Sequence, residues 1–423
     1  MRRASRIWML GAILAVLIGS ACIADEIVLD FPSWAAGEPP YSTYFAELVA
    51  EFNARHVGVA IADSYYVPYA GYIDTMLARF AAGDPPDIFH VPVRDIYAFV
   101  GNDWLEPLDD VVGADVLAEW TPVQKWCEVG GENICIMVFG FGSIMGVNRK
   151  LFEEEGLPIP TNMQELLYAA TQLSKDLDGD GITDQWGLVL SSSDQTNYND
   201  YNLTIFCQAL TGKKVTNDDG TLNEDAYRVT LAYQKALLEA GAIPPGMDLS
   251  IARELWVQGK AAMIFDGPWV NGFIANADPE LQPYLDLDLV PSTTTMGVAG
   301  GVSNAFCVPT AIDDERKQLV YEFIQMFTEP YYQAQFARVV KSPASRSGVL
   351  SDDELAAIPY MTAAAIAGEN AVNWIPLAFK ANLAEYRTVV TGPSLGYLYR
   401  DLSLDDAVRQ AREGLEALLE DIE

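Results

Sequence analysis

Glu26-Ile27-Val28-Leu29-Asp30-Phe31 is an apolar run of strand length, and behind it Phe45, Leu48, Val49 and Phe52 recur at the spacing of one helix face. The alternation continues outward from there. Val59 to Val67 reads as a second strand, Tyr72 to Ala82 as a helix stopped by Gly83, and Pro86-Asp87-Ile88-Phe89-His90-Val91 as a third strand. Strand, helix, strand, helix, strand predicts an α/β lobe on a largely parallel sheet. Ligands of such sheets gather beyond the carboxyl ends of the strands, which singles out Pro32-Ser33-Trp34 and Val93-Arg94-Asp95.

The chain has 423 residues, 50% of them hydrophobic, enough for two cores. Thr161 and Gln164 have the spacing of a capping box before Leu166, Leu167, Ala170 and Leu173, where a second α/β unit begins. Leu319, Val320, Phe323, Ile324 and Phe327 mark a later amphipathic helix, and a last one starts near Ser403. At the other end, Arg2, Arg3 and Arg6 precede an uncharged apolar run from Ile7 to Gly19, then small residues around Cys22. That pattern is an export signal over 1–24, too short to span a membrane. The small residues before Cys22 resemble a lipoprotein cleavage site, with simple cleavage after Ala21 or Ala24 as the alternative.

Net charge is −33, and removal of the three signal arginines takes it to −36. Nucleic acid and anionic membrane surfaces are disfavoured as partners by that balance. Cys127, Cys135, Cys207 and Cys307 allow two disulfides in an oxidising compartment, Cys127 with Cys135 first because Gly130-Gly131 can turn a hairpin between them. Cys207 with Cys307 follows only by elimination, and separately buried thiols are the alternative.

Five segments in order resemble the family 1 extracellular solute-binding proteins, the maltose-binding-protein-like receptors of ABC importers. They are Gly83-Asp84-Pro85-Pro86-Asp87-Ile88-Phe89, Trp104 to Asp109, Met145 to Phe152 running into Gly156-Leu157-Pro158, Gly259-Lys260-Ala261-Ala262-Met263-Ile264-Phe265-Asp266-Gly267-Pro268-Trp269, and Gly300-Gly301 before the helix at Leu319. The resemblance implies a two-lobed periplasmic-binding-protein fold, type II-like, with discontinuous lobes joined by a hinge and a sugar cleft between them. It places 25–140 with 292–327 in the first lobe and 141–291 with 328–423 in the second, with crossings near Phe139 to Gly142, Pro291 and Thr328. It further implies a non-enzymatic receptor, monomeric, in the periplasm or on the outer face of the cytoplasmic membrane. Such a receptor would hand a carbohydrate, an oligosaccharide by its supply of aromatic rings, to permease subunits, touching the membrane only through a lipid on Cys22.

A sugar needs flat rings for its apolar face and polar groups for its hydroxyls. Trp269, placed by the resemblance on the sugar, and Trp34, Trp374, Tyr198, Tyr201 and Phe141 are the candidate platforms; Arg94 and Asp95 are the candidate hydroxyl partners. His90 reads as a core histidine and Asp87 as serving the backbone. Asp176, Asp178, Asp180, Ile182 through its carbonyl, and Asp184 have the spacing of a calcium loop, although its twelfth position is Gly187. No other cofactor is expected. The rival readings are a sugar-binding sensory protein feeding a receptor and a carbohydrate-active enzyme, the latter without a distinguishable carboxylate pair.

Overall fold

The computed structural model describes residues 26–69, 71–192, 196–294, 302–358 and 360–422, so the expected signal and Cys22 lie outside it. The opening alternation folds much as its pattern requires. Strand β1 (Ile27–Ser33) pairs in parallel with β2 (Ala60–Tyr66), Ile27 facing Ala60 and Ser33 facing Tyr66. Helix α1 (Tyr41–Arg55) lies between them in sequence and buries Tyr44, Phe45, Leu48 and Phe52. Helix α2 (Tyr72–Ala81) leads to β3 (Phe89–Pro92). Tyr72 ties the two ends together, its hydroxyl meeting the carbonyls of Pro32 at 3.1 Å and His90 at 2.7 Å.

The rest of this lobe departs from the parallel expectation. β3 and β4 (Ile136–Phe141) both pair antiparallel with β9 (Val302–Cys307), which returns from the other lobe. In the second sheet β6 (Trp186–Val189) runs parallel to β7 (Ala261–Asp266), and β5 (Ile144–Asn148) pairs antiparallel with both β7 and β8 (Leu285–Leu289). The chain therefore changes sheets between Phe141 and Ile144 and again between Leu289 and Val302.

Packing fixes the third crossing. Helix Pro330–Val340 buries Tyr332, Phe336 and Val340 in the core that holds Phe31 and Phe306, whereas Tyr360 and Ala367 belong to a core of the second lobe. The last segment of the second lobe thus begins beyond Val340, later than the expected 328. Rings dominate the first core: Phe306 meets Phe31, Phe323 and Phe327 near edge-on at 5.6, 5.7 and 5.1 Å. Each such pair adds about 0.5–1.5 kcal/mol beyond the area it buries.

Two local expectations are corrected. The cap of helix Met163–Leu173 is Asn162, whose side chain accepts from the N–H groups of Gln164 and Glu165, while Thr161 bonds Glu165 instead. The hairpin at Gly130-Gly131 forms, both glycines having positive φ as a tight two-residue turn demands. Its thiols stay unbonded: Cys127, Cys135, Cys207 and Cys307 are free and buried. Cys207 and Cys307 lie in the cores of different lobes, which rules out the pairing reached by elimination.

Candidate ligand cleft

The first lobe presents the strand ends of its sheet. After β1 the chain makes a short 3-10 turn, Ala35–Gly37, and Trp34 at its start sinks to 5% exposure. Its ring stacks on His90 at 4.3 Å and meets Tyr72 and Tyr69 edge-on at 4.8 and 5.4 Å. His90 is fully buried, bonded through Nδ1 to the Ser33 hydroxyl at 2.8 Å, and burial pushes its pKa down to about 3. It is a neutral part of the core, not a charged contact. Asp87 likewise faces inward, accepting from the Asp30 N–H at 2.8 Å and from Arg316 at 2.6 Å.

After β3 comes Arg94, with Nε 3.4 Å from the Asp95 carboxylate and Nη2 donating to the Tyr69 hydroxyl. Arg94 and Val93 line a narrow space shared by both lobes. Trp126 and Ser303 complete its wall in the first lobe, and Asn373, Trp374 and Ile375 close it from the second. Its volume of about 20 Å³ is room for about one water.

The second lobe contributes charge as well as rings. The Arg387 guanidinium lies 5.5 Å from the centre of the Trp374 ring and donates to Asp200 at 3.1 Å. Burial pushes the Asp200 carboxyl up to about 6, against the pull of Arg387 and, from the other lobe, of Arg94. Further along the seam, burial raises the carboxyl of Glu38 while Arg253 of the second lobe draws it down. Arg253 itself holds Asp266 with bonds of 2.6 and 3.1 Å. Lys380 places its ammonium 4.3 Å from the centre of the Tyr97 ring, a cation–π contact between the lobes.

Trp269 follows β7 in the turn Pro268–Val270 and reaches across to pack on the core of the first lobe. Gly267 makes that position available: a Cβ there would fall 2.1 Å from Cη2 and Cζ3 of the Trp269 ring. Tyr201 is half-buried and bonds the Ser143 hydroxyl just past the first crossing. Phe141 ends β4 and Tyr198 lies in helix Thr196–Thr211, but their side chains fall outside the described residues.

Arg94, Asp95, Trp269 and Trp374 thus converge on the seam, whereas Trp34 forms its floor from within the first lobe. Trp126, Ser303, Asn373, Asp200, Arg387 and Glu38 were not anticipated. Trp126 offered one signal, an aromatic residue beside the hairpin; Asp200, Asn373 and Ser303 lie beside residues already singled out, Tyr201, Trp374 and Gly300-Gly301.

Away from the cleft, the carboxylates of Asp176, Asp178 and Asp184 lie within 4.8 Å of one another on an exposed loop. That donor set suits a hard, oxygen-seeking cation. Asp180 instead accepts from the Ile182 N–H at 2.8 Å. The twelfth position cannot carry a glutamate, because Gly187 is a strand residue whose Cβ would fall 1.9 Å from the Ala170 carbonyl.

A model of the bacterial extracellular solute-binding proteins matches residues 35–334. The galactooligosaccharide-binding protein of Bacillus subtilis is 26% identical over 240 residues, 55% of this chain and 54% of that protein, so the match spans about half the length of the curated relative. Among solved structures, the maltose/maltodextrin-binding domain of Bdellovibrio bacteriovorus bound to maltotriose is similar with TM-score 0.77 at 19% identity, over 93% of this chain and 100% of that one. The GacH receptor of Streptomyces glaucescens is similar with TM-score 0.79 at 18% identity, over 94% and 99%. A solute-binding protein of Thermotoga lettingae bound with α-D-tagatose gives 0.79 at 17%, over 93% and 100%. At these identities the structural likeness is one of fold.

Proposed function

The chain belongs to the bacterial extracellular solute-binding proteins, and from that premise we propose that it captures an oligosaccharide between its lobes and delivers it to the permease of an ABC importer. The observation that carries this reading is the make-up of the seam. Trp126 and Trp374 face one narrow space with Arg94, Ser303 and Asn373, and Trp269 of the second lobe packs separately on the core of the first. Rings and hydrogen-bonding groups from both lobes can grip a sugar only while the lobes are together, so ligand binding favours closure by its differential affinity for that state. The closed form is then the state that a permease reads. Export, and anchoring through a lipid on Cys22, belong to the same proposal.

Three acids at the seam are held by arginines, Asp95 by Arg94, Asp200 by Arg387 and Asp266 by Arg253, while burial raises the Glu38 carboxyl. Carboxylates so committed suit recognition of hydroxyl groups better than the uncommitted acid and base that glycoside hydrolysis requires.

Thermal unfolding of the chain from residue 25 onward, against mono-, di- and oligosaccharides and polyols with and without EDTA, tests the reading. A ligand at a hundredfold excess over Kd adds about 2.7 kcal/mol, a few degrees in unfolding temperature. A stabilising oligosaccharide recovered unchanged is the expected result. Stabilisation accompanied by hydrolysis products would replace the receptor with an enzyme. The EDTA arm reads whether the loop Asp176–Asp184 holds calcium.

A further inference from the structure

The carboxyl end of β2 lies beside that of β1, because the parallel register sets Tyr66 opposite Ser33, one residue before Trp34. Ligand-binding edges of such sheets are formed by all the neighbouring strand ends together. The end of β2 carries Tyr66 and Tyr69, and these rings are 52% and 39% exposed, while Trp34, Trp126 and Trp374 are at most 7% exposed.

A single exposed tyrosine is ordinary, but these two are held in place. The Tyr66 ring rests on the bare backbone of Gly37, where a Cβ would come within 2.2 Å of the Tyr66 Cδ2. Tyr69 meets Trp34 edge-on at 5.4 Å, and its hydroxyl accepts from Arg94. Arg94 is itself a wall of the inner space, so Tyr69 continues that site outward, with Tyr66 three residues before it at the end of β2. A ring already immobilised loses little entropy when a ligand stacks on it, and a sugar presents the apolar face such a ring accepts.

We propose that Tyr66 and Tyr69 form an outer carbohydrate subsite, which takes the units of a neutral oligosaccharide that project from the closed cleft past Arg94. Neutrality follows from the chain's net charge of −33, which repels an anionic glycan at an open surface. The proposal rests on the carbohydrate reading of the cleft and adds chain length as the property that the protein selects.

Calorimetric titration of the exported chain with homologous series tests it: maltose to maltoheptaose, and the galacto-, cello- and xylo-oligosaccharides of two to six units. Tyr66→Ala is expected to weaken the longest member of the bound series about two- to tenfold and leave the shortest bound member unchanged. Tyr66→Trp, which keeps a platform, should retain the length dependence, and matched unfolding temperatures show that each variant is folded. Equal loss at every length, no loss at any, or a wild type that binds only the shortest member overturns the outer subsite. A wild type silent to all four series overturns the carbohydrate reading itself, and that silence distinguishes the two failures.

Discussion

Trp34 and Trp269 each follow the carboxyl end of a strand, yet they end in opposite situations. Trp34 turns back under its own sheet and is 5% exposed, stacked on a buried histidine. Trp269 leaves its lobe and packs on the core of the other. The difference lies in the neighbouring residues. After Trp34, Ala35–Gly37 coils into a turn whose first N–H bonds Ser33 Oγ at 3.1 Å, drawing the ring down toward His90. Before Trp269, Gly267 and Pro268 leave the ring room to fold over the backbone and fix the direction in which it projects. A tryptophan at a strand end is therefore not in itself a ligand platform; whether it serves folding or binding is decided two residues away.

Removing the Trp34 ring gives the largest effect expected from this contrast. Trp34→Ala should cost about 3–5 kcal/mol of folding stability, as large-to-small changes in cores do, measured by denaturant unfolding. A loss below about 1 kcal/mol would place Trp34 with Trp269 as a binding residue and dissolve the comparison.

Acid should act on the same floor. His90 has a folded pKa of about 3 against an ordinary 6.5, so the unfolded chain binds the proton more tightly. Its contribution is fully present above pH 6.5 and is lost as pH falls toward 3. Between pH 7 and pH 4.5 the wild type should lose about 2–3 kcal/mol more than His90→Gln, read from unfolding curves at the two pH values. Equal losses would mean that His90 is not the neutral core residue on which Trp34 rests.

The smallest effect belongs to the seam itself. Lys380→Ala removes the contact between Lys380 and Tyr97, worth about 0.5–1 kcal/mol at a partly exposed site, and should weaken ligand binding about two- to fivefold without lowering stability comparably. An unchanged affinity would show that this contact does not contribute to closure.

The first lobe's architecture was largely legible in its residues, and the second lobe's cleft wall was not. Apolar runs of strand length and helical spacing located β1, β2, β3 and α2 to within a few residues. β9 escaped that logic: it returns from the second lobe to pair antiparallel, a choice set by the crossings. The cleft residues escaped it for another reason. Trp374 is 6% exposed and Trp126 is 7%, values no different from core residues, so apolar patterning cannot separate a closed cleft from a core. Arg387 and Asp200 meet across 187 positions of sequence, and only the folded chain brings that ion pair to Trp374. Trp269 was singled out by the resemblance of the segment ending Gly267-Pro268-Trp269 to a known family, not by periodicity.

The central claim, that Trp269 serves a ligand and not the fold, is tested most directly by calorimetric titration of the wild type and Trp269→Ala with the oligosaccharide that most raises the wild type's unfolding temperature. The account predicts that affinity falls by about 2 kcal/mol or more, roughly thirtyfold in Kd, with unfolding of the ligand-free variant little changed. A variant that binds as the wild type does, or that loses stability as Trp34→Ala should, would contradict it.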